Sequence, residues 1–351
     1  MRTIEWKNGI VTIIDQTRLP NEKVLLKLSS CKEMASAIKN MKVRGAPLIG
    51  ASAAYGLALK AYHSKALNVK QFLDELKEAA LMLKKTRPTA INLFWAIDRV
   101  LSQASNSAKD IESARKKVIE ESKRIADEDI EINHQIGNHG SQLIDNGDII
   151  LTHCNAGGLA TVEYGTALAV VRRSFEQGKK IQVIAAETRP RFQGSKLTAY
   201  ELMQDGIPVT LITDSMVGHV MSKGMVNKVI VGADRIVDDA VINKIGTYSV
   251  AVLAREHKIP FYVAAPTSTF NLGAESKNIT IEERPSEEVT RIGNEMIAPI
   301  GVKVLNPAFD ITPLEYVSAI ISEKGVITDP YKLLKKFEQS ENKQYERDRN
   351  D

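Results

Sequence analysis

The chain has 351 residues, of which 43% are hydrophobic and 26% are charged, and its formal net charge is +4. This length and composition are typical of a globular protein with room for two domains, and they argue against a disordered chain. The small positive charge is spread along the sequence rather than clustered, so we do not expect nucleic-acid binding.

The cysteine content and the apolar runs bear on the cellular environment. Two cysteines, Cys31 and Cys154, are too few for a disulfide framework or a zinc cluster, which favours a reducing, cytoplasmic location. No apolar run approaches the roughly 18 residues of a membrane span, so we expect no membrane association. Apolar residues recur at helical spacing around Cys31, which predicts a small core or capping residue there.

Residues 1–106 are predicted to form a mostly helical domain with a small β-hairpin at its start. Asn8-Gly9 lies between two runs that alternate apolar and polar residues, which is the strongest short hairpin signal. Helical patterns follow over Gln71–Lys85 and from Ala90 onwards. A long charged helix within 107–146 is predicted to connect this domain to the next one.

Two arginines of the first domain precede turns. Arg44 is followed by Gly45, whose bare backbone lets an anion approach its N–H, and then by a helix of small residues. Arg87 precedes Pro88, and the residue before a proline is pushed out of the helical region. From the pattern alone, a surface arginine before a turn is the more common explanation of Arg44.

In residues 147–351 short apolar runs alternate with helical stretches. This pattern predicts an α/β fold with a parallel, doubly wound sheet, in which ligands bind outside the carboxyl ends of the strands. The absence of G-x-G-x-x-G and G-x-x-x-x-G-K-[ST] sequences argues against a dinucleotide or P-loop site. Residues 302–327 are predicted to add a strand, a loop and a helix. The charged segment Tyr331–Asp351 is predicted to be a solvated final helix with a frayed end.

The run Asp148–Gly158, which reads DIILTHCNAGG, places a thiol where a ligand is expected to bind. Its apolar part is predicted to be a buried strand, and Gly157-Gly158 is predicted to open a helix. Cys154 is therefore expected at the carboxyl end of a strand, beside the backbone amides of a helix N-terminus.

Three carboxylates, Glu187, Asp214 and Asp234, follow later strands and are expected at the same rim of the sheet. Asp214 has a structural alternative as a helix N-cap. Glu187 has one as the ion-pair partner of Arg189 or Arg191. Spacing alone therefore predicts a site at this rim without naming its reaction.

Eight sequence blocks occur in order along nearly the whole chain. They are VRGAP (43–47), TRPTAINL (86–93), THCNAGGLAT (152–161), AAETRPRFQGSKLTAYEL (185–202), TDSMVG (213–218), VGADRI (231–236), NKIGTY (243–248) and NPAFDITP (306–313). Together they resemble the methylthioribose-1-phosphate isomerase family. The resemblance implies a Rossmann-like sheet in 147–351 and a cytoplasmic homodimer of methionine salvage. Its implied reaction converts 5-methylthioribose 1-phosphate to 5-methylthioribulose 1-phosphate without a metal or cofactor.

Position by position, the resemblance assigns catalysis to Cys154 and Asp234. It assigns binding of the phosphosugar substrate to Arg44, Gly45, Ala46, Arg87, Gln193, Asn243 and Lys244. We hypothesise that Asp234 is the acid for the ring oxygen and that Cys154, as a thiolate, takes the C2 proton. A hydride shift, with Cys154 only stabilising the transition state, is the competing route.

Two other functions stay open at this point. The first is isomerisation of ribose 1,5-bisphosphate, which needs a second cationic pocket and draws attention to Arg189 and Arg191. The second is a non-catalytic regulatory subunit of the kind found in translation initiation. The presence of both Cys154 and Asp234 argues against that subunit, because binding alone requires neither side chain.

Overall fold

The structure is a computed structural model that describes residues 2–88, 90–106 and 109–330. It divides into two compact units. The first unit is Met1–Gln135 with Asn155–Ala169, and the second is Ile136–Cys154 with Val170–Asp351. The predicted final helix within Tyr331–Asp351 lies outside the described residues, and the predicted domain boundaries at 106 and 146 stay a prediction.

The first unit opens with a three-stranded antiparallel sheet. Strand β1 (Ile4–Lys7) pairs with β2 (Ile10–Ile14), and β2 pairs with β3 (Leu25–Leu28). The turn between β1 and β2 is Asn8-Gly9, and both residues have positive φ, 47° and 78°. A two-residue turn of this kind matches the twist of the strands that flank it. The predicted hairpin is confirmed.

Helices make up most of the first unit and share one apolar core. They are α1 (Cys31–Lys39), α2 (Ala46–Tyr62), α3 (Val69–Lys84), α4 (Ile91–Asn106) and α5 (Ile111–Gly140), whose end lies in the second unit. Helix α2 is buried along nearly its whole length, because its alanines and glycines let neighbouring helices approach closely. Cys31 is buried in this core, as predicted.

The second unit alternates strands with short helices. Its strands are β4 (Ile149–Thr152), β5 (Gln182–Ala186), β6 (Val209–Ile212), β7 (Lys228–Val231), β8 (Arg235–Ile236), β9 (Ala240–Lys244), β10 (Phe261–Ala264), β11 (Arg291–Ile292), β12 (Glu295–Met296), β13 (Phe309–Pro313), β14 (Ala319–Ser322) and β15 (Gly325–Ile327). Its helices are α6 (Ala167–Glu176), which begins in the first unit, α7 (Ala199–Gln204), α8 (Val217–Ser222), α9 (Thr247–Glu256) and α10 (Glu287–Thr290). Over the ranges that the structure describes, no helix has the length and apolar character needed to cross a membrane.

Seven of these strands form the central sheet, in the order β15-β14-β10-β7-β4-β5-β6. All neighbours are parallel except β14 and β15, which are antiparallel. The six parallel strands can be numbered along the chain, from β4 as 1 to β14 as 6. Read across the sheet from β6 to β14, their order is then 3-2-1-4-5-6, which is that of a Rossmann fold. The order reverses between β4 and β7, which is where ligands bind in such sheets. The predicted α/β fold with a parallel sheet is confirmed.

A smaller antiparallel sheet follows β7 directly. Its central strand is β9, which pairs with β8 on one side and with β13 on the other. Asn243 of β9 lies opposite Asp310 of β13 in this register. The chain therefore leaves the central sheet just after β7 and enters a second sheet that carries Asn243 and Lys244.

Two predictions of helices were wrong. Gly157-Gly158 opens only a short 3-10 turn, Gly158–Ala160, and α6 begins later, at Ala167. The helix predicted near the end of the described chain is instead the β14–β15 hairpin. All four residues of β14 are buried, and a short apolar run does not distinguish a buried strand from a buried helix.

Candidate active site

Cys154 lies just beyond β4, and hydrogen bonds hold its backbone from both sides. Its N–H donates to Thr188 Oγ1 at 2.8 Å, and its carbonyl oxygen accepts from Thr198 Oγ1 at 2.7 Å. Its φ is +65°, in the left-handed region that side chains other than glycine rarely adopt. The half-buried thiol therefore lies on a fixed and uncommon backbone conformation, of the kind that concentrates at functional sites.

Asp214, which follows strand β6, also supports this arrangement. Its two carboxylate oxygens accept the backbone N–H groups of Thr188 and Arg189 at 2.8 and 2.7 Å. The carboxylate thus holds the loop after β5, and the predicted alternative of a helix N-cap is not its role. Burial and the nearby Asp214 carboxylate raise the pKa of Glu187, whereas Arg189 opposes that rise.

Asp234 lies where the chain passes from β7 to β8. Its N–H donates to the Ile242 carbonyl at 3.0 Å, and Ile242 is also the residue opposite Arg235. Asp234 and Arg235 are thus both opposite Ile242, as in a β-bulge. Such bulges are common beside active sites. Cys154 and Asp234 therefore follow β4 and β7, the two strands at which the order of the sheet reverses.

Asn243 and Lys244 end strand β9. Asn243 is buried, and its Nδ2 donates to Thr247 Oγ1 at 3.0 Å. Lys244 Nζ donates to the Ala308 carbonyl at 2.7 Å and lies 4.5 Å from the centroid of the Phe309 ring. A carbonyl oxygen and an aromatic face thus orient the ammonium group.

Gln193 precedes a π-helical turn, Gly194–Thr198, that leads into α7. The residue is 6% exposed, and its Oε1 accepts no hydrogen bond from the part of the chain that the structure describes. Buried amide oxygens are nearly always satisfied in folded proteins, so this atom is a candidate ligand contact. π-helical turns are also frequent at functional sites.

Arg44, in the first unit, binds Asn155 through two hydrogen bonds. Its Nη1 donates to Oδ1 of Asn155 at 2.6 Å, and its Nη2 donates to the backbone carbonyl of Asn155 at 2.6 Å. Asn155 follows Cys154 directly in the chain. Asn155 was not among the residues predicted from the sequence to form the site, because only the folded chain reveals the partner of its side chain.

The other predicted residues of the first unit lie at two turns. Gly45 has a φ of +97°, and a Cβ atom there would meet the backbone of Ala160, so only glycine fits. Ala46 is the first residue of α2 and is buried. Arg87 lies in the turn after α3, with its Nη1 at 3.1 Å from the Met41 sulfur.

The predicted site residues therefore divide between the units. Arg44, Gly45, Ala46 and Arg87 belong to the first unit, and Cys154, Gln193, Asp234, Asn243 and Lys244 belong to the second. Among the described residues, no three His, Cys, Asp or Glu side chains are arranged to hold a metal ion.

The strand order and the residues after β4 and β7 define an α/β protein with a Rossmann-type sheet and a thiol and a carboxylate at its switch point. The sequence profile of the initiation factor 2 subunit family matches residues 42–329, and the chain belongs to that family.

Several relatives are similar to this chain over nearly their whole length. A methylthioribose-1-phosphate isomerase of Acetivibrio thermocellus is 55% identical over 337 residues, which cover 94% of this chain and 98% of the relative. The crystal structure of 5-methylthioribose 1-phosphate isomerase from Pyrococcus horikoshii OT3 is 47% identical, with a TM-score of 0.90 over 95% of this chain and 94% of that one. A crystal structure described as translation initiation factor eIF-2B, subunit delta, from A. fulgidus is 54% identical, with a TM-score of 0.86 over 95% of this chain and 97% of that one.

Proposed function

We propose that this protein is an aldose-ketose isomerase of methionine salvage, which converts 5-methylthioribose 1-phosphate to 5-methylthioribulose 1-phosphate. Identity of 55% over 337 residues to a relative of that name supports the reaction. The observation that carries the proposal is structural. Cys154 and Asp234 follow the two strands that flank the reversal in strand order, where ligands bind in this fold.

The reaction needs an acid and a base because phosphate blocks the anomeric carbon of the substrate. The sugar cannot open to a free aldehyde by itself, so the enzyme must open the ring while a hydrogen leaves C2. We assign the base to Cys154 and the acid to Asp234. The thiolate takes the C2 proton, the C1–C2 double bond forms, the bond from C1 to the ring oxygen breaks, and Asp234 protonates that oxygen.

The second half of the reaction restores both groups. The Cys154 thiol returns its proton to C1, and Asp234, now ionised, takes the proton of the C2 hydroxyl as the ketone forms. Protons and electrons balance without a co-reactant.

A hydride shift from C2 to C1 is the competing route. Deuterium from the solvent at C1 of the product supports proton transfer, and its complete absence favours the hydride route.

The substrate-binding roles follow the resemblance and the charges of the side chains. A phosphate monoester carries about −1.5 to −2 charges near neutral pH. We assign its recognition to the cations of Arg44, Arg87 and Lys244, with the backbone at Gly45 and Ala46 adding donors. Gln193 and Asn243 are assigned to the sugar hydroxyls, and the buried Oε1 of Gln193 supports that role.

The ion pair of Arg191 favours an apolar group over a phosphate at C5. Ribose 1,5-bisphosphate needs a second cationic pocket, but Arg191 pairs with Glu288 at 2.5 Å, which already balances its charge. We therefore favour 5-methylthioribose 1-phosphate. The site is also expected to accept 5-deoxyribose 1-phosphate, because a small apolar difference discriminates only ~10–200-fold.

A side-by-side assay of purified protein tests the proposed function. The protein is incubated with 5-methylthioribose 1-phosphate or with ribose 1,5-bisphosphate, and the C2 ketone carbon is followed by NMR. We expect a faster reaction with the first sugar. A protein that isomerises neither sugar and binds an initiation factor would instead support a non-catalytic regulatory subunit. A regulatory subunit would not need Cys154 and Asp234.

We also propose that the protein acts in the cytoplasm as a homodimer, as the family resemblance implies. A small-molecule enzyme without nucleic-acid or membrane partners fits the net charge of +4 over 351 residues. Sedimentation at micromolar concentration checks the oligomeric state, and a monomer would contradict this part of the proposal.

A further inference from the structure

His153, the residue before Cys154, is bonded to the turn that follows β9. Its side chain is 2% exposed, and its Nε2 lies 2.8 Å from the Ile245 carbonyl oxygen. A carbonyl oxygen only accepts hydrogen bonds, so Nε2 carries the hydrogen. Ile245 directly follows Asn243 and Lys244. One hydrogen bond therefore joins the strand end that carries Cys154 to the turn that carries two proposed substrate-binding residues.

Gly246 makes room for the imidazole. Its φ is +103°, and a Cβ atom at this position would lie 2.9 Å from the His153 ring. Asp310 holds the same turn separately, because its Oδ2 accepts the backbone N–H groups of Gly246 at 2.7 Å and of Tyr248 at 3.1 Å. The turn therefore keeps a second support when the His153 hydrogen bond is removed.

The other ring nitrogen lies near Asp214, whose carboxylate holds the loop that supports Cys154. His153 Nδ1 lies 3.9 Å from Oδ1 of Asp214, beyond hydrogen-bond distance, and has no hydrogen-bond partner among the described residues. Burial lowers the pKa of His153, against smaller opposing effects of the Ile245 carbonyl and Asp214, so the ring is neutral at physiological pH. The Nε2 hydrogen bond is therefore the polar contact that fixes the ring.

We propose that His153 is a positioning residue, whose Nε2 hydrogen bond to Ile245 sets the distance between Cys154 and the turn of Asn243 and Lys244. The inference rests on the proposed isomerase function. Substrate held by Asn243 and Lys244 must present its C2 hydrogen to Cys154, and a misplacement of about 1 Å costs roughly 10²-fold in rate. Loss of the hydrogen bond should therefore lower kcat, while Asp310 preserves the turn and hence KM.

Two isosteric variants separate this role from packing. In His153→Gln the amide nitrogen takes the place of Nε2 and still donates to Ile245. In His153→Asn the amide nitrogen reaches only the place of Nδ1. We expect the glutamine variant to keep kcat near the wild-type value and the asparagine variant to lose ~10–10²-fold in kcat with little change in KM.

His139 provides the matched control, since its Nδ1 also lies near a backbone carbonyl, that of Ser322 at 2.9 Å. In His139→Gln the amide nitrogen reaches only the place of Nε2, so this variant loses its hydrogen bond to Ser322 and should leave kcat unchanged. Equal kcat values for the two His153 variants would overturn the proposal, as would a loss in His139→Gln equal to that in His153→Asn. If His153→Asn does not fold, His153→Gln decides: a near-normal kcat supports the Nε2 donor and a large loss refutes it.

Alkylation of the Cys154 thiol by iodoacetamide tests the positioning role of His153 separately from the proposed isomerase function. The alkylation rate needs no substrate, so it reports on the position of Cys154 even if the wild-type protein is not an isomerase. We expect His153→Asn to change this rate and His153→Gln to leave it unchanged. The same rate in wild type and both variants would refute the positioning role whatever the substrate.

Discussion

Arg44 and Asn155 are joined by two hydrogen bonds of 2.6 Å, although 111 positions separate them in the chain. The planar guanidinium presents two parallel donors, which match the side-chain oxygen and the backbone oxygen of one asparagine. The contact fixes the residue next to Cys154 by means of a side chain that the family resemblance assigns to substrate binding.

The Arg44→Lys variant should lower kcat/KM by ~10–10²-fold, because lysine keeps the charge but cannot make both bonds, and bonds to charged groups contribute about 1.5–3 kcal/mol. Steady-state kinetics with 5-methylthioribose 1-phosphate measures the effect. Arg18→Lys is the control, since the exposed Arg18 side chain pairs with the exposed side chain of Glu22. Equal kinetics for the two variants would show that the paired contact has no catalytic importance.

Gly45→Ala should destabilise the protein more than Gly178→Ala. Both glycines have positive φ, +97° and +81°, so both substitutions strain the backbone. A Cβ atom at Gly45 would in addition meet the backbone of Ala160, whereas nothing lies within 4 Å of one at Gly178. Urea unfolding of the two variants measures the difference. Equal losses of stability would contradict the close approach at Gly45.

Asp129 should make stability depend on pH. It is 9% exposed, and its Oδ2 accepts the Val162 N–H at 2.7 Å and Asn133 Nδ2 at 3.0 Å. Burial raises its pKa to about 7 against the effect of these donors, well above the ordinary value of about 3.9. The folded state therefore holds the proton more tightly. The resulting stabilisation is complete below about pH 4 and is lost as the pH rises through 7.

Urea unfolding at pH 5 and pH 8 tests this dependence against Asp129→Asn, which does not titrate. The free energy of unfolding of the wild type should fall by roughly 2–3 kcal/mol relative to the variant between these two pH values, at about 1.4 kcal/mol per pKa unit. Asp127→Asn, at an exposed position of the same helix, should follow the wild type. A constant difference between wild type and Asp129→Asn would refute the assignment.

The two cysteines should differ sharply in reactivity. Cys31 is buried, and burial raises its pKa to about 12, whereas Cys154 is only half-buried. Because the thiolate is the reactive form, one thiol of the native protein should be alkylated near pH 8, and peptide mapping should find it at Cys154. The Cys154→Ser variant should then react only after denaturation. Two modified cysteines in the native wild type would contradict the burial of Cys31.

The sheet could be predicted from sequence because its apolar runs are short, buried and separated by helical stretches, as at β5 and β7. The turn that follows Cys154 could not be predicted from the sequence. Gln16 Nε2 donates to the Leu159 carbonyl and Thr3 Oγ1 to the Gly158 carbonyl, across 143 and 155 positions of the chain. These contacts hold Gly157-Gly158 in a turn rather than a helix, and no local pattern encodes bonds between such distant residues.

Candidate site residues could be predicted where they end strands, as Cys154 and Asp234 do. His153 and Asp310 could not, because their roles depend on the turn after β9 and on the register of β9 and β13. Asp310 lies within the block NPAFDITP, which contributed to the family resemblance, and this was the one signal that pointed to it. His153 gave no signal beyond its place beside Cys154.

The rate of ketose formation by the wild type and by Asp234→Asn tests most directly whether Cys154 and Asp234 isomerise a sugar 1-phosphate. Both proteins are given 5-methylthioribose 1-phosphate, and the C2 ketone carbon is followed by NMR, with calorimetry to confirm binding. We predict turnover by the wild type, and a variant that binds substrate but is slower by ~10²–10⁴-fold, as expected for the loss of one general acid. Near-normal turnover by the variant, or no ketose from the wild type, would contradict this.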